Sequence, residues 1–131
     1  MKTDRFTQTV LTVGAYMELV YFELYLARGN FAALYEAVRA HPVAKRTPDV
    51  MAPEDVSRAI DLACVFYPKE ALCLQRSAAI TCLLRRRGVR AQLVLGAQLT
   101  PFKSHAWVEV DELVVNDKPY MHEIYGVLDR C

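Results

Sequence analysis

The sequence lacks an excess of charge of either sign. Its 131 residues include 16 Lys and Arg against 15 Asp and Glu, which leaves a net charge of +1. Proteins that bind nucleic acids or anionic membranes through charge normally carry a basic excess, so the balance argues against both ligands. The length allows a single domain, and a hydrophobic content of 53% excludes a disordered chain.

The sequence also lacks a secretory signal. Residues 1–5 are followed by Phe6-Thr7-Gln8-Thr9 and not by an apolar segment with a small-residue cleavage site. The four cysteines of such a chain are expected to be reduced thiols, and the protein is expected to be cytoplasmic.

Motifs for a metal site are missing as well. The sequence contains no CxxC or HxxxH pair, and Cys64, Cys73 and Cys82 are each nine residues apart. On a helix, nine steps of ~100° place neighbours on opposite faces. We therefore expect no metal ion, and no motif indicates a cofactor.

An uninterrupted hydrophobic run long enough to cross a membrane is also missing. The nearest candidate, residues 10–27, contains Glu18 and Glu23. A carboxylate at the bilayer centre costs about 2.5–3.5 kcal/mol on the insertion scale. We expect no membrane span and interpret the segment as a helix of a soluble domain, buried nearly all round.

The first half of the chain, residues 1–67, reads as helical. A helix from about Thr9 to Ala27 is followed by Gly29 as a stop signal, and residues 31–40 predict a second, short helix. A connection follows over residues 43–53. A third helix begins at Pro53, with acidic residues in its first turn, and Pro68 closes it.

The second half, residues 68–131, predicts one buried helix and a small antiparallel sheet. The helix covers residues 72–87, is apolar in its middle and ends in three arginines before Gly88, which favours a helix terminus over a nucleic-acid patch. Alternating residues 91–97 predict a strand, and residues 105–110 and 113–116 predict a hairpin around Asp111-Glu112. The predicted fold is a single α+β domain over residues 1–131, and the tail beyond residue 118 carries little signal.

Three residues of this half have the chemistry of a cysteine nucleophile site. Cys73 lies at the start of the buried helix, where the helix dipole favours a thiolate and free amides can hold an oxyanion. His105 opens one strand of the hairpin and Asp117 follows the other, so the two are expected to be neighbours. The order Cys, His, Asp on helix, strand and strand matches the plan of papain-like enzymes.

Each of these residues also has a purely structural interpretation. A cysteine at a helix start is often a small packing residue, a histidine beside Trp107 can be a satisfied core residue, and Asp117 after Asn116 can be a turn residue. Only their combination favours catalysis.

Several blocks of the sequence resemble one family. Residues 73–77 (CLQRS) and 83–88 (LLRRRG) are similar to the nucleophile helix of the transglutaminase-like protease of lasso peptide biosynthesis. Residues 93–96 with Pro101-Phe102, and residues 105–110 with Asn116-Asp117, are similar to its following segments. The resemblance runs from about residue 72 to 119, and the helical first half fits the family only in length and character.

The resemblance implies a transglutaminase-like or papain-like fold and a cysteine protease that removes the leader peptide from a ribosomally made precursor. It implies Cys73 as the nucleophile, His105 as general base and acid, and Asp117 as the group that orients the imidazole. The expected partners are the leader region of the precursor, a separate leader-recognition protein and the ATP-dependent cyclase that acts next. Fused members of the family carry a recognition domain ahead of the protease, whereas this chain reads as the stand-alone protease half.

Two other functions stay open at this point. The same residues would serve an acyl-transfer enzyme that uses an amine in place of water. A non-catalytic interaction module on the same fold is the third interpretation, and the apolar helix over residues 10–27 motivates it. The Asp111-Glu112 turn departs from the Asp-Gly that a tight type I′ turn favours, which leaves the geometry of the hairpin loop open.

Overall fold

Five helices and four strands follow one another in the described part of the chain. The computed structural model describes residues 5–45 and 53–131, so most of the predicted connection over residues 43–53 lies outside it. In chain order the elements are α1 (Arg5–Ala27), α2 (Phe31–Ala40), α3 (Pro53–Phe66), α4 (Cys73–Arg86), β1 (Ala91–Leu99), β2 (Phe102–Val110), β3 (Leu113–Val114), α5 (Met121–Ile124) and β4 (Gly126–Arg130). The four main helices confirm the predicted ones to within a few residues at each end.

The four strands form one antiparallel sheet in the order β3-β2-β1-β4. β1 and β2 pair along their whole length, and Gly96 lies opposite His105 in that register. β4 returns to the free edge of β1. Helices packed on a small antiparallel sheet confirm the predicted α+β class.

Helix α4 lies at the centre of the fold. It packs against α1 and α3 on one side and against β1 and β2 on the other. Every residue from Ser77 to Arg85 is buried, which confirms the prediction of a core helix. Because both flanking layers use α4 as their partner, its position sets where the sheet lies relative to the helices.

The C-terminal end of α4 is fixed by a glycine motif and by a buried arginine. Gly88 has a φ of +83°, and the N–H of Val89 donates to the carbonyl of Leu84 at 3.0 Å, as in a Schellman motif. Arg85 is 6% exposed, and its guanidinium donates to the carbonyl oxygens of Val38, His41 and Ala91. The arginine run is thus a helix terminus, as predicted, and one of its members belongs to the core.

Helix α1 is not buried nearly all round, and that prediction was wrong. Only Leu11, Ala15, Glu18, Leu19 and Phe22 are buried. The other helices cover a single face of α1, so the opposite face has no neighbour within the described residues. It carries apolar side chains three or four residues apart that are 40–78% exposed: Phe6, Val10, Val13, Met17, Val20 and Leu24.

By length and composition alone, α1 is a helix that could cross a membrane, with 28% of the relevant window buried inside the protein. Its two carboxylates both contact other elements of the fold. Glu18 pairs with Arg86 at 2.6 Å, and Glu23 accepts hydrogen bonds from Tyr67 and Lys69. Burial raises the pKa of Glu18, and the Arg86 guanidinium opposes that rise.

The sheet and the tail differ from the prediction at several points, and β1 ends at Leu99, two residues after its predicted end. β2 begins at Phe102, three residues before the predicted start, and β3 ends at Val114, two residues before the predicted end. α5 and β4 lie in the tail, where no element was predicted. β4 is a short edge strand with mostly exposed side chains, so it lacks the alternation of apolar residues on which such predictions depend.

The turn between β2 and β3 is the two-residue turn that was predicted. Asp111 and Glu112 have φ values of 52° and 67°, as a type I′ turn requires at both central positions. Neither residue is glycine, so the turn carries conformational strain that Asp-Gly would lessen.

Candidate active site

Cys73 is the first residue of α4 and is exposed to solvent. The preceding residue, Leu72, has an extended backbone (φ −72°, ψ 155°) and an apolar side chain that cannot cap the helix. The first amides of a helix have no acceptor within the helix itself. The thiol therefore lies beside backbone N–H groups that are available to a negatively charged oxygen.

The three other cysteines have different environments. Burial raises the pKa of the Cys64 and Cys131 thiols, and it raises that of Cys82, in the middle of α4, to about 12. Thiols of this kind stay protonated at neutral pH and react slowly. Cys73 is the one cysteine of the four that is exposed.

His105 and Asp117 lie in direct contact. The Nε2 atom of His105 on β2 is 2.7 Å from Oδ2 of Asp117, which follows β3. The other carboxylate oxygen, Oδ1, accepts the backbone N–H of Lys118 at 2.8 Å. The predicted neighbours are therefore together, because β2 and β3 form a hairpin. Asp117 occupies Nε2, so Nδ1 is the remaining nitrogen for proton transfer.

Two aromatic rings pack against the imidazole. Tyr125 stacks on His105 with ring centroids 5.4 Å apart, and Trp107 lies 6.2 Å away, also stacked. Together with the Asp117 contact, these rings fix the plane of His105. The prediction from sequence named neither Tyr125 nor any role for the tail that carries it.

Gly96 permits this aromatic packing. A Cβ atom at this position would lie 2.6 Å from Cη2 of Trp107 and 2.9 Å from Cβ of Tyr125. Both distances are too short for real contacts, so any side chain here would push the rings out of place. A glycine inside an alternating strand is the signal from which this close approach was predictable.

Cys73, His105 and Asp117 all line one cavity of about 260 Å³. Arg76 and Asp61 also line it and form an ion pair with each other, so one wall of the cavity is charged. The remaining lining residues are Ser77, Ile80, Ala106 and Asn116. Within residues 5–45 and 53–131 no group of three His, Cys, Asp or Glu side chains is placed to hold a metal ion.

This arrangement has the components of nucleophilic catalysis. It combines an exposed thiol at a helix start, an imidazole fixed by a carboxylate and by stacked rings, and free amides beside the thiol. Chemistry of this kind attacks a carbonyl carbon and forms a thioester with the cysteine.

Comparison with known proteins identifies the family of the chain. The sequence model of the transglutaminase-like superfamily matches residues 16–130. The Escherichia coli protein described as microcin J25-processing protein McjB is 43% identical over 56 residues, which is 43% of this chain. The chain covers 27% of that relative's length. No solved structure matches the chain.

Proposed function

The chain belongs to the transglutaminase-like superfamily, and from that premise we propose that it is a cysteine peptidase that removes the leader from a lasso peptide precursor. Members of this superfamily are typically cysteine peptidases or acyltransferases. The observation that carries the proposal is that Cys73, His105 and Asp117 line the same cavity. The partial identity with a microcin-processing protein supports the choice of substrate.

In the proposed reaction, His105 takes the thiol proton of Cys73 and the sulfur attacks the carbonyl carbon at the end of the leader. The amides of the first turn of α4 bind the resulting oxyanion. His105 then donates its proton to the leaving amine, so the peptide bond breaks and the leader stays on Cys73 as a thioester. Asp117 stabilises the imidazolium throughout.

Water completes the cycle. His105 removes a proton from the water molecule, the hydroxide attacks the thioester, and the leader leaves with a free carboxylate while the thiol is restored. The free amine of the core peptide is then the substrate of the separate cyclase. In this proposal the enzyme works in the cytoplasm and needs no cofactor.

The proposal includes a separate leader-recognition protein as partner. The exposed apolar face of α1 supports a protein partner, since contiguous exposed apolar side chains mark interaction sites on soluble domains. The near-zero net charge agrees with it, because a substrate delivered by a protein needs no charged groove.

The decisive experiment compares Cys73→Ala with Cys64→Ala on a lasso peptide precursor, in the presence of a leader-recognition protein. We expect Cys73→Ala to abolish cleavage, by about 10³-fold or more, with an unchanged melting temperature. Cys64→Ala, which removes a half-buried thiol outside the cavity, keeps full activity. Cleavage by Cys73→Ala at the parental rate would show that the proposed triad is wrong.

The same assay separates hydrolysis from acyl transfer. Mass spectrometry detects two peptides when water is the acceptor, and one joined species when an amine is the acceptor. A joined product would assign the acyltransferase activity of the superfamily to this chain.

The exposed face of α1 also favours a second candidate, a non-catalytic interaction module. Iodoacetamide at neutral pH distinguishes the two, with Cys82 as an internal control. If the chain is a peptidase, iodoacetamide alkylates Cys73 rapidly and Cys82 slowly. An unreactive Cys73 favours the interaction module.

A further inference from the structure

A hydrogen-bonded pair, Ser77 and Asn116, connects α4 to the hairpin beside the cavity. The Nδ2 group of Asn116 donates to Ser77 Oγ at 3.1 Å, and that hydroxyl donates to the carbonyl of Ala106 at 3.2 Å. The Oδ1 atom of Asn116 accepts the backbone N–H of Val108 at 2.8 Å. Three elements of the site thus meet in one network that the proposed reaction itself does not use.

Each member of the network is close in the chain to a proposed catalytic residue. Ser77 lies four residues after Cys73 on α4, which places both on one face of the helix. Ala106 follows His105 directly, and Asn116 directly precedes Asp117. A shift in the network therefore moves the backbone that carries the thiol, the imidazole or the carboxylate.

The side chain of Asn116 also extends the hydrogen bonding to β2 beyond the end of β3. β3 ends at Val114, and the last backbone bond to β2 runs from the Val115 N–H to the carbonyl of Val108 at 3.0 Å. The side-chain oxygen of Asn116 then takes the N–H of Val108 from the same residue of β2. The chain is thereby held against β2 up to the residue before Asp117.

The hydroxyl of Ser77 is buried and forms hydrogen bonds to two parts of the hairpin. The residue is 1% exposed and lies within a helix whose other buried residues are mostly apolar. A buried hydroxyl is costly unless it is hydrogen-bonded. Its hydroxyl serves as donor and acceptor at once, which ties the helix to both arms of the hairpin.

We propose that Ser77 and Asn116 are positioning residues that set the distance between the Cys73 thiol and the His105–Asp117 pair. The proposal rests on the proposed function, since it assigns the network to that reaction. Removing either side chain lets α4 and the hairpin move relative to each other, and small misplacements of reacting groups cost large factors in rate.

The test compares Ser77→Ala, Asn116→Ala and the double variant with Thr81→Val. Thr81 is a buried residue one turn further along α4, and among the described residues its hydroxyl bonds only within its own helix, to the carbonyl of Ser77. It therefore controls for loss of a buried hydroxyl without loss of the link to the hairpin. If Ser77→Ala does not fold, Asn116→Asp, which keeps an acceptor for Val108, takes its place.

Two readouts go beyond stability. The first is kcat for precursor cleavage, which we expect to fall about tenfold in each single variant, with little change in KM. The double variant should be no worse than the singles, because both residues act as one unit. Thr81→Val should keep the parental kcat whatever its melting temperature.

The second readout needs no substrate. It is the ratio of the rates of Cys73 alkylation by iodoacetamide at mildly acidic and mildly alkaline pH, measured on the modified peptide. A thiol paired with an imidazole still reacts at acidic pH, whereas an unpaired thiol does not. Parent and His105→Ala define the two ends of the scale, and the Ser77 and Asn116 variants should move towards His105→Ala.

The outcomes distinguish this inference from the proposed function. If Ser77→Ala and Asn116→Ala match Thr81→Val in kcat and in alkylation ratio, the positioning role is wrong and the peptidase proposal stands. If His105→Ala has the same ratio as the parent, Cys73 and His105 are not paired, and both proposals fail.

Discussion

The two ends of α4 use polar groups in opposite ways. At its start, Cys73 is exposed, and the first amides have no capping side chain beside them. At its end, the carbonyls are closed by the Gly88 motif, and the Arg85 guanidinium is buried with three carbonyl partners. One helix thus has an end that is available for chemistry and an end that is closed for stability.

The contrast shows how a small domain separates the requirements of catalysis from those of stability. Binding an oxyanion needs N–H groups without partners, and such groups contribute nothing to the folded state. The fold places the buried guanidinium of Arg85 at the opposite end, about three helical turns from Cys73. Variants at the two ends should accordingly affect different measurements.

The largest effect should come from Arg85→Met at the closed end. Methionine fills part of the volume but removes the guanidinium that donates to the carbonyls of His41 and Ala91, and it leaves the Val38 carbonyl with the His41 N–H alone. We expect the free energy of unfolding to fall by about 2–4 kcal/mol, measured by urea denaturation. Cleavage per folded molecule should not change.

Arg90→Met is the matched control for this variant. Arg90 is exposed and lies outside the hydrogen bonds of α4, so its replacement should stay within about 0.5 kcal/mol of the parent. A loss below about 1 kcal/mol in Arg85→Met would mean that water or a backbone shift replaces the guanidinium, and the contrast between the two ends would weaken.

A smaller effect, on activity alone, is expected for Asp117→Asn at the open end. Asp117 accepts from both Lys118 N–H and His105, whereas an amide has a single oxygen for these two donors. Its NH₂ group would then face the imidazole and favour the wrong tautomer for part of the time. We expect kcat to fall about 10- to 100-fold, less than for Cys73→Ala, with an unchanged melting temperature.

Asp61→Asn controls for the loss of a negative charge in the cavity. Asp61 lines the same cavity but pairs with Arg76 and not with the imidazole. If both variants lower kcat equally, the charge of the cavity matters and the orientation of His105 does not.

The smallest effect concerns pH at the closed end. Burial lowers the pKa of His41 below its usual 6.5; the hydrogen bond to the Pro42 carbonyl opposes this, and the charges of Arg86 and Arg85 add to it. Between that lowered pKa and 6.5, the unfolded chain binds more protons than the folded one, so stability falls as the pH decreases through this window. The neutral ring also accepts a hydrogen bond from Arg86 at 3.3 Å, which protonation removes.

In His41→Gln this part of the pH dependence should disappear. The change should be small, and it is read as a smaller drop in melting temperature on acidification below pH 6.5 than in the parent. His122→Gln, which removes an exposed histidine of α5, is the control. An identical acid profile in His41→Gln and the parent would exclude His41 as the titrating group.

The sequence was sufficient to predict the elements whose pattern is local. The apolar middle of α4, the glycine after its arginines and the turn at Asp111-Glu112 each have a signal within a few residues. From the hairpin alone, His105 and Asp117 were expected to be neighbours, and the structure places them 2.7 Å apart. Their catalytic roles remain a prediction.

Features that depend on distant pairing could not be predicted in this way. Tyr125 reaches His105 because β4 returns to β1, and the weak alternation of the tail gave no sign of that strand. The exposure of α1 was missed for a related reason. The sequence of an apolar helix does not show whether its second face packs in the core or faces solvent. The exposure of that face depends on how many other elements pack against the helix.

The strained turn at Asp111-Glu112 has a practical use for such experiments. Both residues hold a left-handed backbone that glycine adopts at much lower cost, and neither lines the candidate active site. A Glu112→Gly chain is therefore a natural background in which to study weakened variants, because it adds a stability reserve without touching the cavity. A sequence that leaves this reserve unused agrees with the rule that natural proteins are kept above a stability threshold and not at a stability maximum.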